Sequence, residues 1–291
     1  MSRGERKVTV VGAGPAGIGA AQQCVREGID DVLVLEKESV GGLILQANRI
    51  ENLPGFVGED GRKMVKELEK IVLEYDIEVE YSKVVKIERT EKGFRLKTEK
   101  GSKETKYLVL ATGTTPRSWN FEGEKHHPGW RDYSGEKVVI VGGGDAAYDY
   151  SLRVNRLGGE VTILRRSEPK ALPVLVEEAR EKGIKEVEAE VTGVEKCENG
   201  FSIGFEDKAI EADELITAIG RDPNLPDFSF ELEIEDVTFP TGETDHDNLF
   251  VIGSTVLGTY RQTSLCWGMG IAAGMKLGRT IPLCEKSKSV N

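Results

Sequence analysis

The sequence predicts an α/β protein made of two Rossmann-like three-layer domains, each with a β-meander. Three observations carry this. A unit of strand, glycine turn and helix opens the chain over residues 8–25. The same unit recurs from Val138. Each copy is followed by short β segments ending in a buried strand and a glycine, over residues 108–113 and 215–220.

The chain has 291 residues, which suits two domains with a core each. Its net charge of −11 argues against a non-specific nucleic-acid binder and against an anionic membrane surface. No run of about 18 apolar residues is present, so no membrane span is expected. The N-terminal residues run straight into the first strand without a signal-peptide apolar region, and a cytoplasmic location is expected. Cys24, Cys197, Cys266 and Cys284 are scattered. They make neither a CxxC nor a metal-ligand cluster.

In the first copy, Val8-Thr9-Val10-Val11 reads as a buried strand, and Gly12-Ala13-Gly14-Pro15-Ala16-Gly17 turns it into a helix that continues to Val25. The first glycine allows the tight turn, the second lets backbone approach a pyrophosphate, and the third lets helix and strand pack closely. Phosphates then sit at the positive end of the helix dipole. The next strand, Val32-Leu33-Val34-Leu35, ends in Glu36, a carboxylate placed to accept ribose hydroxyls. A glycine-rich turn of some other α/β unit is the competing explanation, and the strand–helix–strand context weighs against it.

Gly41-Gly42-Leu43 and Asn52-Leu53-Pro54-Gly55 mark a loop. Residues 59–75 read as an amphipathic helix with Val65, Leu68, Val72 and Tyr75 on one face. Phe94 and Leu96 alternate with Arg95 and Lys97, the pattern of a half-exposed meander. Tyr107-Leu108-Val109-Leu110 then delivers Ala111-Thr112-Gly113, small residues that permit close approach to a ligand, or simply end a strand.

Residues 114–136 are rich in turn formers, Pro116, Gly123, Pro128, Gly129 and Gly135 among them, and read as a domain crossing. The second copy carries Gly142-Gly143-Gly144-Asp145-Ala146-Ala147, with Ala147 in place of the third glycine. Its next strand, Val161-Thr162-Ile163-Leu164, ends in Arg165-Arg166 where the first copy has Glu36. A carboxylate repels a 2′-phosphate, whereas a guanidinium binds it bidentately. The first copy therefore suits a cofactor with a free ribose, and the second suits NADPH over NADH. A solvated basic turn is the alternative for Arg165 and Arg166.

Residues 173–182 are helix-compatible and residues 187–205 are β-rich. Leu249-Phe250-Val251-Ile252-Gly253 is a last buried strand. It leads to Tyr260-Arg261-Gln262-Thr263 and a small-residue helix over 264–277, and the tail from Glu285 is expected to fray.

The order of these motifs resembles the low-molecular-weight thioredoxin reductase-like flavoproteins of the pyridine nucleotide-disulfide oxidoreductase superfamily. The matching pieces are GAGPAG from Gly12, Glu36, ENLPG from Glu51, ATG from Ala111, GGGDAA from Gly142, the Arg165-Arg166 pair, AIGRDPN from Ala218 and YRQ from Tyr260. The resemblance implies an FAD domain formed by residues 1–113 and 243–291, with an NAD(P)H domain over 114–242 inserted into it. It places FAD on Gly12, Gly14, Pro15, Ala16, Glu36, Lys37, Gly42, Asn52, Val84, Ala111, Thr112, Gly113, Gly253, Ser254, Arg261, Gln262 and Thr263. It places NADPH on Gly144, Asp145, Ala146, Arg165, Arg166 and Ile219. It also implies a homodimer.

Two departures stand out. The family's flavin-binding Asp is Ser254 here, a weaker hydrogen-bond partner than a carboxylate. The family's CxxC window falls on Lys125-His126-His127-Pro128, which holds no thiol, so disulfide exchange at that place is chemically closed. His126 and His127 are candidates for a proton donor beside the flavin, or a surface turn. Cys266 is a candidate flavin neighbour, or a small core residue. The segment Asp145-Ala146-Ala147-Tyr148-Asp149-Tyr150 is similar to the DSAxDW pattern of thioredoxin reductase-like ferredoxin–NADP reductases, which also lack the dithiol. Those enzymes usually carry a C-terminal extension over the flavin, whereas this sequence stops soon after Leu283.

The resemblance thus implies an FAD-dependent NAD(P)H oxidoreductase passing electrons from NADPH through flavin to an external acceptor. Ferredoxin or flavodoxin is the leading acceptor class, and a small-molecule or disulfide acceptor is the other. The alternatives are a flavin-binding regulatory or scaffold protein with little turnover, and a disulfide reductase that uses a partner's thiols.

Overall fold

A computed structural model describes residues 5–119 and 125–286. The first stretch forms β1 (Arg6–Val11), α1 (Pro15–Arg26), β2 (Val32–Glu36), α2 (Gly61–Glu74) and β3 (Glu78–Tyr81). A meander follows, β4 (Val84–Arg89), β5 (Phe94–Thr98) and β6 (Gly101–Leu110). After β7 (Thr114–Pro116) come β8 (Lys137–Val141), α3 (Asp145–Arg156), β9 (Glu160–Arg165), α4 (Pro173–Glu181) and β10 (Lys185–Glu188). A second meander, β11 (Val191–Cys197), β12 (Gly200–Phe205) and β13 (Lys208–Ala212), leads to β14 (Glu214–Thr217) and β15 (Arg221–Pro223). Last come β16 (Asp227–Phe228), β17 (Leu249–Val251), α5 (Thr263–Thr280) and α6 (Leu283–Lys286).

The chain divides into two compact units. The first holds the residues up to Leu45, Ile50–Thr114 and the chain from Pro223; the second holds Gln46–Arg49 and Thr115–Asp222. In the first unit the sheet order is β16-β4-β5-β6-β1-β2-β3, with β17 also on β6. β1 lies between β2 and β6, parallel to both, with Val10 opposite Val34 and Val109. A parallel strand covered on both faces has no solvent side, which is why these strands read as continuous apolar runs. Val8, Val10, Leu33, Val34, Leu108 and Val109 are fully buried. In the meander, Phe94 and Leu96 are fully buried and Arg95 and Lys97 exposed, as the alternation predicts.

The small residues of α5 have a packing reason. A Cβ at Gly270 would sit 2.2 Å from the Ala16 carbonyl oxygen, and one at Gly274 would sit 2.6 Å from Gln23 Cβ. Helices α1 and α5 therefore meet backbone to backbone.

The second unit repeats the plan. Its parallel sheet runs β10-β9-β8-β14, and its meander β11-β12-β13 is antiparallel. The duplication extends to single hydrogen bonds. Gly12 N–H donates to Leu35 C=O at 2.8 Å, and Gly142 N–H to Leu164 C=O at 2.9 Å. Ala111 N–H donates to Val11 C=O, and Ala218 N–H to Val141 C=O, both at 2.8 Å.

Three expectations change. The chain returns to the first unit at Pro223 rather than at 243. Phe228, Phe230, Leu232, Ile234 and Val237 pack against that unit's core, and no local sequence feature announces it. The buried face of α2 is Gly61, Met64, Val65 and Leu68, while Val72 and Tyr75 are half-buried; Asp60 caps the helix. The tail is held through Lys286. Asp30 N–H and Lys7 Nζ both donate to the Lys286 carbonyl at 3.1 Å, and Lys106 pairs with Glu285 at 2.7 Å. Gly123 and residues 287–291 lie outside the described residues. Among the described residues, no helix is long and apolar enough to cross a membrane.

Candidate functional site: two glycine cradles

In the first unit Gly12, Gly14, Glu36, Gly42 and Ala111 lie together at the C-terminal end of β1. Gly12 has φ +106°, and a Cβ there would sit 2.3 Å from the Ala111 carbonyl oxygen, so the turn and the ATG segment fit only as glycine against backbone. A Cβ at Gly17 would sit 1.8 Å from the Gly12 carbonyl oxygen, which gives the third glycine its helix-packing reason. Gly14 caps α1 without any side-chain bond to the helix amides, and a Cβ there would meet nothing closer than the Gly41 carbonyl oxygen, at 3.8 Å. Pro15 takes the position where a missing N–H costs nothing, and Ala16 follows it. The helix therefore presents open N–H groups and a positive dipole end to free space.

Glu36 is buried, and its carboxylate accepts from Ala13 N–H at 2.7 Å and Glu38 N–H at 2.9 Å. Two backbone donors thus orient it beside the glycine turn. Gly41 N–H donates to Ala13 C=O at 2.9 Å, and a Cβ at Gly42 would lie 3.5 Å from Gly14 Cα, so this loop flanks the same turn. Asn52 Nδ2 donates to Gln262 Oε1 at 2.6 Å, which ties the ENLPG and YRQ segments together. Gly113 N–H donates to Thr255 Oγ1 at 3.0 Å, and the Gly113 Cβ position is 3.5 Å from Ser254 Oγ. Gly253, at φ +73°, faces Ala16 Cβ and Cys266 Sγ. Arg261 is exposed, with Nη1 on the Gly258 carbonyl at 2.8 Å, and Thr263 opens α5. Lys37 is exposed and lies 3.3 Å from Glu38. Val84 is a core side chain of β4, so its backbone is what it can offer a ligand. Thr112 Oγ1 is buried without a hydrogen-bond partner.

The second unit repeats the glycine turn and the helix start that follows it. Gly142 has φ +147°, and its Cβ would sit 2.4 Å from the Ala218 carbonyl oxygen. Gly144 caps α3 without a side-chain bond, and nothing lies within 4 Å of its Cβ position. The loop after β9 folds back over this turn. Lys170 N–H donates to Gly143 C=O at 2.7 Å, and Leu172 N–H to Asp145 Oδ1 at 2.8 Å. Ala146 is exposed beside them, and Ile219 is half-buried after β14. Arg166 is exposed. Arg165 is turned into the sheet: Nε donates to Glu186 at 3.1 Å, and Nη1 to Ser167 C=O at 2.9 Å and to Glu188.

Both cradles fit a dinucleotide. Each offers a helix N-terminus without a side-chain cap; the first has the Glu36 carboxylate at the end of its second strand, and the second has Arg165, paired with Glu186 and Glu188, followed by the exposed Arg166. The model of the pyridine nucleotide-disulphide oxidoreductase family matches residues 6–270. The chain belongs to that family. A thioredoxin reductase of Mycolicibacterium smegmatis is 28% identical, over 94% of this chain and 95% of that protein. The structure of T. acidophilum thioredoxin reductase superposes with a TM-score of 0.86 at 23% identity, covering 96% of this chain and 99% of the other. Bacillithiol disulfide reductase Bdr from Bacillus cereus superposes with a TM-score of 0.76 at 20% identity, covering 95% and 100%. The chain is thus a thioredoxin reductase-like, FAD-dependent NAD(P)H oxidoreductase whose cofactors are FAD and NADPH.

The candidate catalytic residues are divided between the two units. His126 Nδ1 lies 2.9 Å from Thr217 Oγ1 in the second unit, and His127 is exposed there; Cys266 is in the first unit. Burial pushes the Cys266 thiol up to about 11 against the opposing pull of the Ser254 N–H, and burial pushes Cys24 up to about 12. Sequence reasoning missed Thr255, Lys170, Glu186 and Glu188. The two glutamates alternate along β10 with only a strand pattern around them, so their pairing with Arg165 had no local signal.

Proposed function

We propose that the enzyme passes electrons from NADPH to an external disulfide with no thiol relay of its own. The carrying observation is the state of its four cysteines. All are free. Cys24 and Cys266 are buried and held protonated at neutral pH, so neither supplies a thiolate. Cys197 and Cys284 are exposed but sit in different units, on β11 and α6.

The net reaction is NADPH, a proton and a disulfide giving NADP⁺ and two thiols. FAD, when bound, supplies the two-electron relay between nucleotide and acceptor. The chain's own residues bind and orient. Gly12, Gly14, Pro15, Ala16 and the α1 N-terminus would hold the FAD pyrophosphate, and Glu36 its ribose. Lys37, Gly42, Asn52, Val84, Ala111, Thr112, Gly113, Gly253 and Ser254 would line the rest. Arg261, Gln262, Thr263 and the α5 N-terminus would set a positive potential at one end of the site. Gly144, Asp145, Ala146, Arg165, Arg166 and Ile219 would hold NADPH. Family resemblance supports a homodimer, which sedimentation would test.

The thioredoxin and bacillithiol reductases among the similar proteins favour a disulfide over the ferredoxin or flavodoxin that the Asp145 to Tyr150 resemblance suggests. In that segment Ala147, Tyr148 and Tyr150 are buried core residues, so packing already accounts for them. The test is a variant with Cys24→Ala, Cys266→Ala, Cys197→Ser and Cys284→Ser, assayed anaerobically with NADPH. The acceptors are oxidised thioredoxin, bacillithiol disulfide, an aromatic disulfide, ferredoxin and flavodoxin. Disulfide reduction within about twofold of wild type is expected. Loss of disulfide reduction with flavin content intact would overturn transfer without a thiol relay; turnover confined to ferredoxin or flavodoxin would overturn the acceptor class.

A further inference from the structure

The rim of the second cradle is not the simple basic pair that its sequence suggests. A guanidinium has five N–H donors. Arg165 spends its Nε on Glu186 and its Nη1 on the Ser167 carbonyl and Glu188. Glu186 is itself clamped: it also accepts from Tyr148 OH at 3.0 Å and Arg180 Nε at 2.9 Å. Burial opposes ionisation of Glu186, and Arg180, Arg165 and Tyr148 together hold its carboxyl below the usual range. The pair is therefore ionised at neutral pH and stays in place. Glu188 differs. It sits opposite Arg165 in the β9–β10 register, its side chain is 52% exposed, and its carboxylate pairs with Arg165 alone among the described residues.

Arg165 Cβ lies 3.5 Å from the Cβ position of Gly143, so the stem of Arg165 borders the glycine turn and Glu188 lies one strand away, opposite Arg165. On the loop beyond, Arg166 and Lys170 are exposed, and neither makes a side-chain hydrogen bond or ion pair among the described residues. The rim thus carries two open cations and one cation paired with two carboxylates, the clamped Glu186 and the exposed Glu188.

We infer that Glu188 is a specificity-determining residue that weakens the preference for a 2′-phosphate, by occupying Arg165 and adding a negative charge at the rim, and that Arg166 carries the recognition that remains. Like charge at the rim disfavours a 2′-phosphate and leaves a free 2′-hydroxyl unaffected. Glu188 has this role only if the second unit seats NADPH, as proposed above.

The probes are 2′,5′-ADP and 5′-AMP, titrated calorimetrically into the flavin-loaded full chain at about 0.15 M salt, where only close charges act. The readout is the ratio of the two affinities, which needs no turnover. Glu188→Gln is expected to tighten 2′,5′-ADP about two- to fivefold with 5′-AMP unchanged. Glu188→Ala should do the same, which guards against an effect of the new amide. Arg166→Gln is expected to weaken 2′,5′-ADP at least about tenfold with 5′-AMP unchanged. An unchanged or lower ratio in both Glu188 variants overturns the role of Glu188. An unchanged ratio in Arg166→Gln overturns the role of Arg166. Failure of wild type to bind either probe overturns the nucleotide assignment of this unit, and the inference falls with it. Unaltered 5′-AMP binding in each variant shows that the site is folded.

Discussion

At Gly142 a single methyl group decides whether the second turn can form. The residue has φ +147°, and its Cβ would lie 2.4 Å from a backbone oxygen that cannot swing away, that of Ala218. Gly144, two residues on, has φ −98°, an ordinary extended conformation, and open space around its Cβ. The two glycines are alike in sequence and opposite in constraint. Gly142→Ala is expected to cost about 2–4 kcal/mol of stability, seen as a lowered unfolding midpoint of the second unit. Gly144→Ala should leave stability within about 0.5 kcal/mol. Its effect belongs to the ligand side: the methyl group would fill space that a pyrophosphate needs, so NADP⁺ affinity should fall severalfold in calorimetry. Equal stability losses in the two variants would mean that Gly144, too, is constrained by the protein.

At the scale of elements, the glycine turns and the parallel strands were legible because they are local: apolar runs, glycines at fixed offsets, and one charged residue at a strand end. What escaped was long-range. Glu186 and Glu188 meet Arg165 only because β10 pairs with β9, and Phe228 and Phe230 join the first core only because the chain has already crossed back at Pro223. Helix α3 is a further case. Its Asp149 accepts the Asn48 N–H at 3.0 Å, and its Arg153 donates Nη1 to the Gln46 carbonyl at 2.6 Å while lying 3.8 Å from the Trp130 ring. Four residues from elsewhere in the chain are thereby drawn into the second unit. Burial pushes the Asp149 carboxyl up to about 6, against the N–H groups of Asn48 and Arg49 and the charges of Arg153 and Arg156. An unfolded Asp titrates near 3.9, so between about pH 4 and pH 6 the folded chain keeps a proton that the unfolded chain has lost. Stability from this group therefore falls as pH rises through that window and is level above it. Asp149→Asn removes the ionisation and keeps an acceptor oxygen for the Asn48 N–H. It is expected to stabilise the protein at pH 8 by at most about 2–3 kcal/mol and to change nothing at pH 4. Denaturant midpoints at the two pH values check this, and an equal shift at both would assign the effect to packing.

The whole molecule carries a net charge of −11, and that charge bears on which acceptor it meets fastest. An acidic carrier protein approaching an acidic enzyme is repelled over the distance that salt leaves unscreened, whereas a neutral small disulfide is not. The Debye length shrinks from about 30 Å at 0.01 M salt to about 8 Å at 0.15 M. Reduction of an acidic flavodoxin or ferredoxin should therefore speed up as salt is added across that range, because screening removes the repulsion. Reduction of a neutral disulfide should stay flat. Stopped-flow measurement of the second-order rate with each acceptor separates the cases, with the flavin reduced by NADPH beforehand so that nucleotide binding does not enter. A rate with the acidic carrier that falls as salt rises would require a positively charged docking face strong enough to outweigh the net charge, and would return the one-electron carriers to the front of the acceptor list.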